Sequence, residues 1–190
     1  MPQNISLEEI KKFWPDDAPD IHNVQKYVSK YVKEKIVIKY GGNVLIDRGV
    51  FNNFILDVNI LNKLGLSVII VHGGGPRIKR ELDKKKIESK FIDGLRVTDK
   101  NIINVVEEVL IDFNNDIVQN LKKLGSNAVS FHTKNNNIIE VKPERKELGF
   151  VGIPKRINSQ LIENTISKNQ IPIIAPLGID ENQQTYNING

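Results

Sequence analysis

The chain has 190 residues, 39% of them hydrophobic, 26% charged and 6% aromatic, and it contains no cysteine. This length and balance describe one folded domain large enough to bury its own core, and they exclude wholesale disorder, a disulfide framework, a thiolate metal site and a cysteine nucleophile. The formal charge of +4 comes from 27 basic and 23 acidic residues that are interspersed rather than gathered on one patch, so no nucleic-acid binding is implied.

Residues 1–34 read as a helical arm. Ser6-Leu7-Glu8-Glu9 resembles a capping box with imperfect spacing and opens a short amphipathic turn through Ile10, Phe13 and Trp14. Pro15 and Pro19 interrupt it, and a second helix over 22–32 sets Ile21, Val24, Val28 and Val32 on one face. Such an arm either packs on its own domain or docks on another subunit. The acidic pair Glu8 and Glu9, with no apolar stretch, excludes a secretory signal.

From residue 35 strands alternate with helices. Ile36-Val37-Ile38 is a buried strand broken at Gly41-Gly42, and residues 51–64 form an amphipathic helix stopped by Gly65. Residues 67–71 form a second strand, too short to cross a bilayer, followed by His72-Gly73-Gly74-Gly75 and a helix with Pro76 in its first turn. Thr98-Asp99 caps a long helix that ends at Gly125. Strands follow at 128–131 and 171–175, a hairpin at 138–141 and 150–153, a turn at 135–137, a helix at 159–167 and a last strand at 184–188. This order predicts an α/β fold, with a mainly parallel sheet between helices. The basic runs Lys84-Lys85-Lys86 and 142–146 lack interleaved aromatics and read as solvated surface. His22, His72 and His132 lack metal-ligand spacing. The protein is expected in the cytoplasm, with no membrane partner.

Both glycine clusters follow strands and so lie at one rim of the sheet, where ligands bind. Gly73-Gly74-Gly75 ahead of a helix is suited to cradling an anion, the alternative being a tight turn that needs positive φ. Neither the Walker pattern nor the dinucleotide fingerprint is present. His72-Gly73-Gly74-Gly75 also echoes an esterase oxyanion loop, but no Gly-x-Ser-x-Gly elbow accompanies it. Lys39, at the end of a buried strand, is placed to neutralise a phosphoryl group in transfer. Arg96 offers a planar fork for a carboxylate, the alternative being an ion pair with a nearby acid.

Five ordered motifs then carry a resemblance: Lys39-Tyr40-Gly41-Gly42-Asn43, His72-Gly73-Gly74-Gly75-Pro76, residues 91–99, Glu147-Leu148-Gly149 with Val151-Gly152, and Tyr186-Asn187-Ile188-Asn189. Together they resemble the amino acid kinase family and, within it, the acetylglutamate kinases. The resemblance implies a three-layer αβα sandwich that transfers the γ-phosphoryl of ATP, with Mg2+, to the side-chain carboxylate of N-acetyl-L-glutamate in arginine biosynthesis. It implies that Lys39 and Gly42 are catalytic, Lys39 on the moving phosphoryl group. Gly74 and Gly75 would hold the acylated amino acid, with Gly74 also facing the phosphoryl group. Arg96 would clamp a carboxylate and Asn187 bind through its amide. It further implies a homo-oligomer, a dimer or hexamer. Family members continue after Asn-Ile-Asn with Ala-Asp and a nucleotide-binding half, whereas this sequence closes with Gly190. The expectation is therefore an N-terminal, acetylglutamate-binding lobe at 35–190, without the C-terminal nucleotide-binding lobe and inactive by itself. Ile111 stands where the family has a small glycine, and Ser130-Phe131-His132-Thr133 replaces a glycine-rich loop, with no role assigned to His132. Competing readings are a non-catalytic module that binds an acyl-amino acid or assembles with a partner, and an aminoadipate-type kinase of lysine synthesis.

Overall fold

The computed structural model describes residues 6–32, 34–41 and 47–189. Its first elements are α1 (Leu7–Lys11) and α2 (Ile21–Tyr31). Ser6 and Glu9 form a complete capping box: the Ser6 hydroxyl accepts from the Glu9 N–H at 3.2 Å, and the Glu9 carboxylate accepts from the Ser6 N–H at 2.9 Å. The expected imperfect spacing is thereby corrected, because a separation of three is what the reciprocal bonds require. Ile10 and Val24 bury against Leu64 and Leu66, with Phe13 and Trp14 alongside, so the arm packs on its own domain.

The chain continues through β1 (Lys35–Tyr40), α3 (Arg48–Lys63), β2 (Ser67–His72), α4 (Gly75–Lys84), β3 (Phe91–Ile92), β4 (Leu95–Arg96) and α5 (Lys100–Lys123). It closes with β5 (Ala128–Phe131), β6 (Ile139–Pro143), β7 (Val151–Ile157), α6 (Ser159–Ile166), β8 (Ile171–Ile174), β9 (Leu177–Ile179) and β10 (Thr185–Ile188). The central sheet has the order β1-β2-β8-β5 with every pair parallel. Strand alternation sorts the core into two faces. Val68 and Ile70 of β2 join Ile55 and Val58 of α3 and Phe113 and Ile117 of α5. Ile69, between them in sequence, joins Phe131, Ile139 and Ile174, with Leu161 and Ile162 of α6 packed against that cluster. The result is the three-layer αβα arrangement.

Local chemistry sets the boundaries. Asp47 caps α3 by accepting from Val50 N–H at 3.0 Å, which starts that helix three residues earlier than its apolar pattern. Asp99 caps α5 through the N–H groups of Asn101 and Ile102, at 2.8 and 2.9 Å. Gly65 and Gly125, with φ of +85° and +87°, follow the ends of α3 and α5. Ile111 sits at the margin of the α4–α5 core, and α5 runs unbroken past it.

Three short strands, β3, β4 and β9, escaped the sequence patterns. The hairpin of β6 and β7 is present, but β7, β9 and β10 close with β6 into a small four-stranded barrel beside the main sheet. The turn expected at 135–137 lies earlier, at Thr133 and Lys134, because His132 and Asn135 bridge across it with hydrogen bonds of 2.9 and 3.0 Å. Among the described residues no helix is long and apolar enough to cross a membrane.

Candidate active site

A cavity of about 250 Å³ opens where β1 and β2 end, between the start of α4, the β3–β4 hairpin and β10. Lys39, Gly74, Gly75, Arg96 and Asn187 all line it, together with Gly41, Gly73, Phe91, Leu110 and Pro176. Five of the six residues expected from the sequence thus meet at one place. The sixth, Gly42, lies outside the described residues. No carboxylate is among the described residues that line the cavity, whereas two cations are.

The start of α4 supplies backbone donors. Gly74 is its N-cap, no side chain caps it, and no acid stands in its first turn. Pro76 has no N–H to offer, which leaves the N–H groups of Gly75 and Arg77 without intrahelical partners at the positive end of the helix dipole. The glycines are not there for positive φ, since Gly73, Gly74 and Gly75 all lie outside that region. Close approach accounts for Gly74, where a Cβ would stand 2.5 Å from Leu110 Cδ2. A Cβ on Gly73 would make an ordinary contact, 3.5 Å from the Gly41 Cα, and one on Gly75 would meet nothing within 4 Å. The anion cradle is favoured over the tight turn.

Arg96 is placed by a two-residue hairpin. Asp93 and Gly94 have φ of +51° and +79°, as a type I′ turn requires, and pair Phe91 with Arg96 across the strands. The guanidinium lies 4.7 Å from the Phe91 ring centroid and donates to Ser89 Oγ at 2.6 Å. Arg96 is buried, yet among the described residues no carboxylate lies within ion-pair distance of it, so the alternative of a nearby acid is not realised. Burial pulls its pKa below the usual arginine range, with the distant Asp83 opposing. A buried cation left without an anion is costly until one arrives. Asn187 forms its backbone bond to the Phe150 carbonyl at 3.0 Å, and its side-chain amide makes no hydrogen bond among the described residues.

The Glu147-Leu148-Gly149 motif serves this placement rather than chemistry. Gly149 has φ +68°, and a Cβ there would collide with the Thr98 carbonyl. That carbonyl accepts from Phe150 N–H at 2.7 Å, while Thr98 N–H donates to the Leu148 carbonyl at 2.9 Å. Thr98 Oγ1 in turn donates to the Arg96 carbonyl at 2.8 Å. Arg145, read as plain surface, reaches Asp93 at the hairpin tip at 3.0 Å.

Sequence reasoning missed a buried polar set behind the cradle: His72, Asn114 and Ser130. Its signal was available, as polar residues interrupting otherwise apolar faces beside Phe113 and Val129. Glu107 was missed as well. It accepts from Thr133 and Thr185 at 2.6 and 2.8 Å and lies 3.5 Å from the Lys134 amine. Burial acts to raise its pKa, but the threonine hydroxyls and Lys134 hold it below the usual carboxylate range.

The model of the amino acid kinase family matches residues 34–190. The chain is 51% identical over 186 residues to an acetylglutamate kinase of Pelagibacter ubique (strain HTCC1062), an alignment covering 98% of the chain and 65% of that protein. To an acetylglutamate kinase of Roseobacter denitrificans it is 38% identical over 187 residues, with the same two shares of 98% and 65%. The chain therefore spans 65% of the length of these curated relatives. Among solved structures, N-acetylglutamate synthase from Neisseria gonorrhoeae, complexed with coenzyme A and N-acetyl-glutamate, matches in fold with a TM-score of 0.77. Its identity is 18%, over 88% of this chain and 39% of that one.

Proposed function

The chain belongs to the amino acid kinase family, and from that premise we propose that it is the acetylglutamate-binding part of an acetylglutamate kinase. The observation that carries the proposal is Arg96, a buried guanidinium without an acidic partner among the described residues, on a cavity shared with Lys39, Asn187 and the uncapped start of α4. Such a lining suits a small anion bearing both carboxylate and amide groups, as N-acetyl-L-glutamate does.

In this reading Arg96 clamps one carboxylate, and Asn187 with the Gly74 and Gly75 backbone holds the rest of the molecule. The side-chain carboxylate oxygen attacks the γ-phosphorus of ATP: a new O–P bond forms, the bond to the bridging oxygen breaks, and ADP leaves with that electron pair. No general base is needed, since the nucleophile is already ionised at neutral pH. Catalysis is then positioning and charge compensation. Lys39 supplies the positive charge, and Gly42 and Gly74 supply backbone donors to the moving group. ATP brings Mg2+ on its phosphates. The lobe at 35–190, the arm at 1–34, a role in arginine biosynthesis and assembly into a homo-oligomer belong to the same proposal.

Calorimetric titration of the chain with N-acetyl-L-glutamate, with glutamate and aminoadipate as controls, tests it. Selective binding of the acetylated amino acid is expected. Equal affinity for all three, or tighter binding of aminoadipate, overturns it.

A further inference from the structure

Three consecutive glycines have no side chains to fix which way their peptide groups face. Groups outside the loop do this. The Gly73 N–H donates to the Tyr40 carbonyl at 2.7 Å. The Gly73 carbonyl stands 2.9 Å from Nδ1 of the fully buried His72. Nε2 of that ring lies 3.1 Å from Asn114 Nδ2, which also donates to the Ile173 carbonyl at 2.8 Å. Asn114 Oδ1 accepts from the Ser130 hydroxyl. Asn114 Nδ2 carries two protons and can serve both Ile173 and His72, which makes Nε2 an acceptor. The ring proton then resides on Nδ1, where the Gly73 carbonyl receives it. One tautomer satisfies every polar atom of the set.

The chain has no cis peptide bond among its described residues, and in a trans peptide the C=O and N–H point in opposite directions. Holding the Gly73 carbonyl toward the imidazole therefore turns the Gly74 N–H away from it, and Gly74 lines the cavity. We propose that His72, locked by Asn114 and Ser130, is a positioning residue that aims the Gly74 N–H at the bound anion. This rests on the cavity being the acetylglutamate site proposed above, and it gives the histidine ahead of the glycines a task of its own.

The imidazole nitrogen resonances of the unmodified chain at neutral pH are expected to show His72 protonated on Nδ1 with Nε2 bare. The opposite tautomer, or a doubly protonated ring, overturns the proposal with no ligand needed. Titration with N-acetyl-L-glutamate then compares His72→Asn, whose amide nitrogen can stand in for Nδ1, with His72→Phe, which fills space but donates nothing. Both lose the Asn114 bond and both melt lower than the parent chain. At a temperature where all three are folded, His72→Phe is expected to bind about tenfold or more weakly, and His72→Asn to recover most of that loss. Equal losses in both variants, or none in His72→Phe, overturn the proposal. If the parent chain does not bind N-acetyl-L-glutamate, the functional reading fails by itself. The positioning role is then decided by the Gly74 amide resonance, expected to move in His72→Phe and to stay in His72→Asn. Should His72→Phe not fold, the tautomer of the parent chain decides.

Discussion

Arg96 and Lys39 are held in opposite ways. Lys39 stands exposed near the end of β1, free to follow a group that moves, whereas Arg96 is buried and fixed by Ser89 and the Phe91 ring. A fixed fork suits the part of a ligand that stays still during the reaction. Replacing Arg96 by alanine should cost about 1.5–3 kcal/mol of affinity for N-acetyl-L-glutamate, the range for a charged hydrogen bond, and calorimetric titration reads that directly. Arg96→Lys is expected to recover little, since an ammonium cannot offer the two-pronged contact. His72 makes a separate, pH-dependent contribution. Burial, the largest effect, pulls its pKa from 6.5 to about 4; the positive charge of Arg77 and the neighbouring His132 act the same way, and only the Gly73 carbonyl opposes. The folded state therefore binds fewer protons than the unfolded chain between these values. The contribution is complete above pH 6.5 and is lost as pH falls toward 4, amounting to about 3 kcal/mol in all. Urea unfolding at a series of pH values should show that slope, and His72→Asn should remove its share.

Glycines of different elements answer to different constraints, and the contrast is measurable. A methyl group on Gly75 meets nothing within 4 Å, and the residue opens α4 with no positive φ to preserve. Gly75→Ala should therefore melt at or slightly above the parent chain while binding N-acetyl-L-glutamate more weakly, because the methyl occupies space beside the cradle. Gly149→Ala should lose on both counts. It strains a backbone at φ +68° and pushes into the carbonyl of Thr98, the residue whose hydroxyl bonds the Arg96 carbonyl, at a cost of about 1–3 kcal/mol in thermal or urea unfolding. The long elements were legible because their periodicities are long: α5 shows a sustained apolar stripe, and β2 and β8 show the continuous runs of buried parallel strands. Strands β3, β4 and β9 are two or three residues each, too short for any period to register. Asp93-Gly94 was the one local cue to that hairpin, a turn signal rather than a strand signal. In the cavity, residues announced by charge or by glycine were found from sequence, whereas the imidazole, amide and hydroxyl behind them were not. Those groups act through three-dimensional pairing across α5, β2 and β5, and separations of 42 and 16 residues leave no spacing to recognise.

Across the molecule, α5 is the common member of most of what holds the cavity. Phe113 and Ile117 complete the sheet core, Ile102 and Leu110 pack on α4, and Asn114 carries the His72 bond. Glu107 of the same helix ties down Thr185, two residues before Asn187. Phe113 alone lies 4.0 Å beneath the Arg77 guanidinium and 5.0 Å edge-on from His72, and it is fully buried. The arm is built differently. Ile10 is equally buried, but its cluster of Val24, Leu64 and Leu66 sits apart from the cavity lining. Two truncations of similar chemistry should then part company. Phe113→Ala is expected to cost about 3–5 kcal/mol and Ile10→Ala about 2–5 kcal/mol if each site stays open after the side chain is removed. Hydrogen exchange distinguishes their reach. In Phe113→Ala, protection should fall in α5, β2 and the start of α4 together, with weaker binding of N-acetyl-L-glutamate. In Ile10→Ala it should fall in α1 and α2 alone, with binding unchanged. Loss of binding in Ile10→Ala, with α5 protection intact, would show that the arm acts on the cavity by a route other than the shared core.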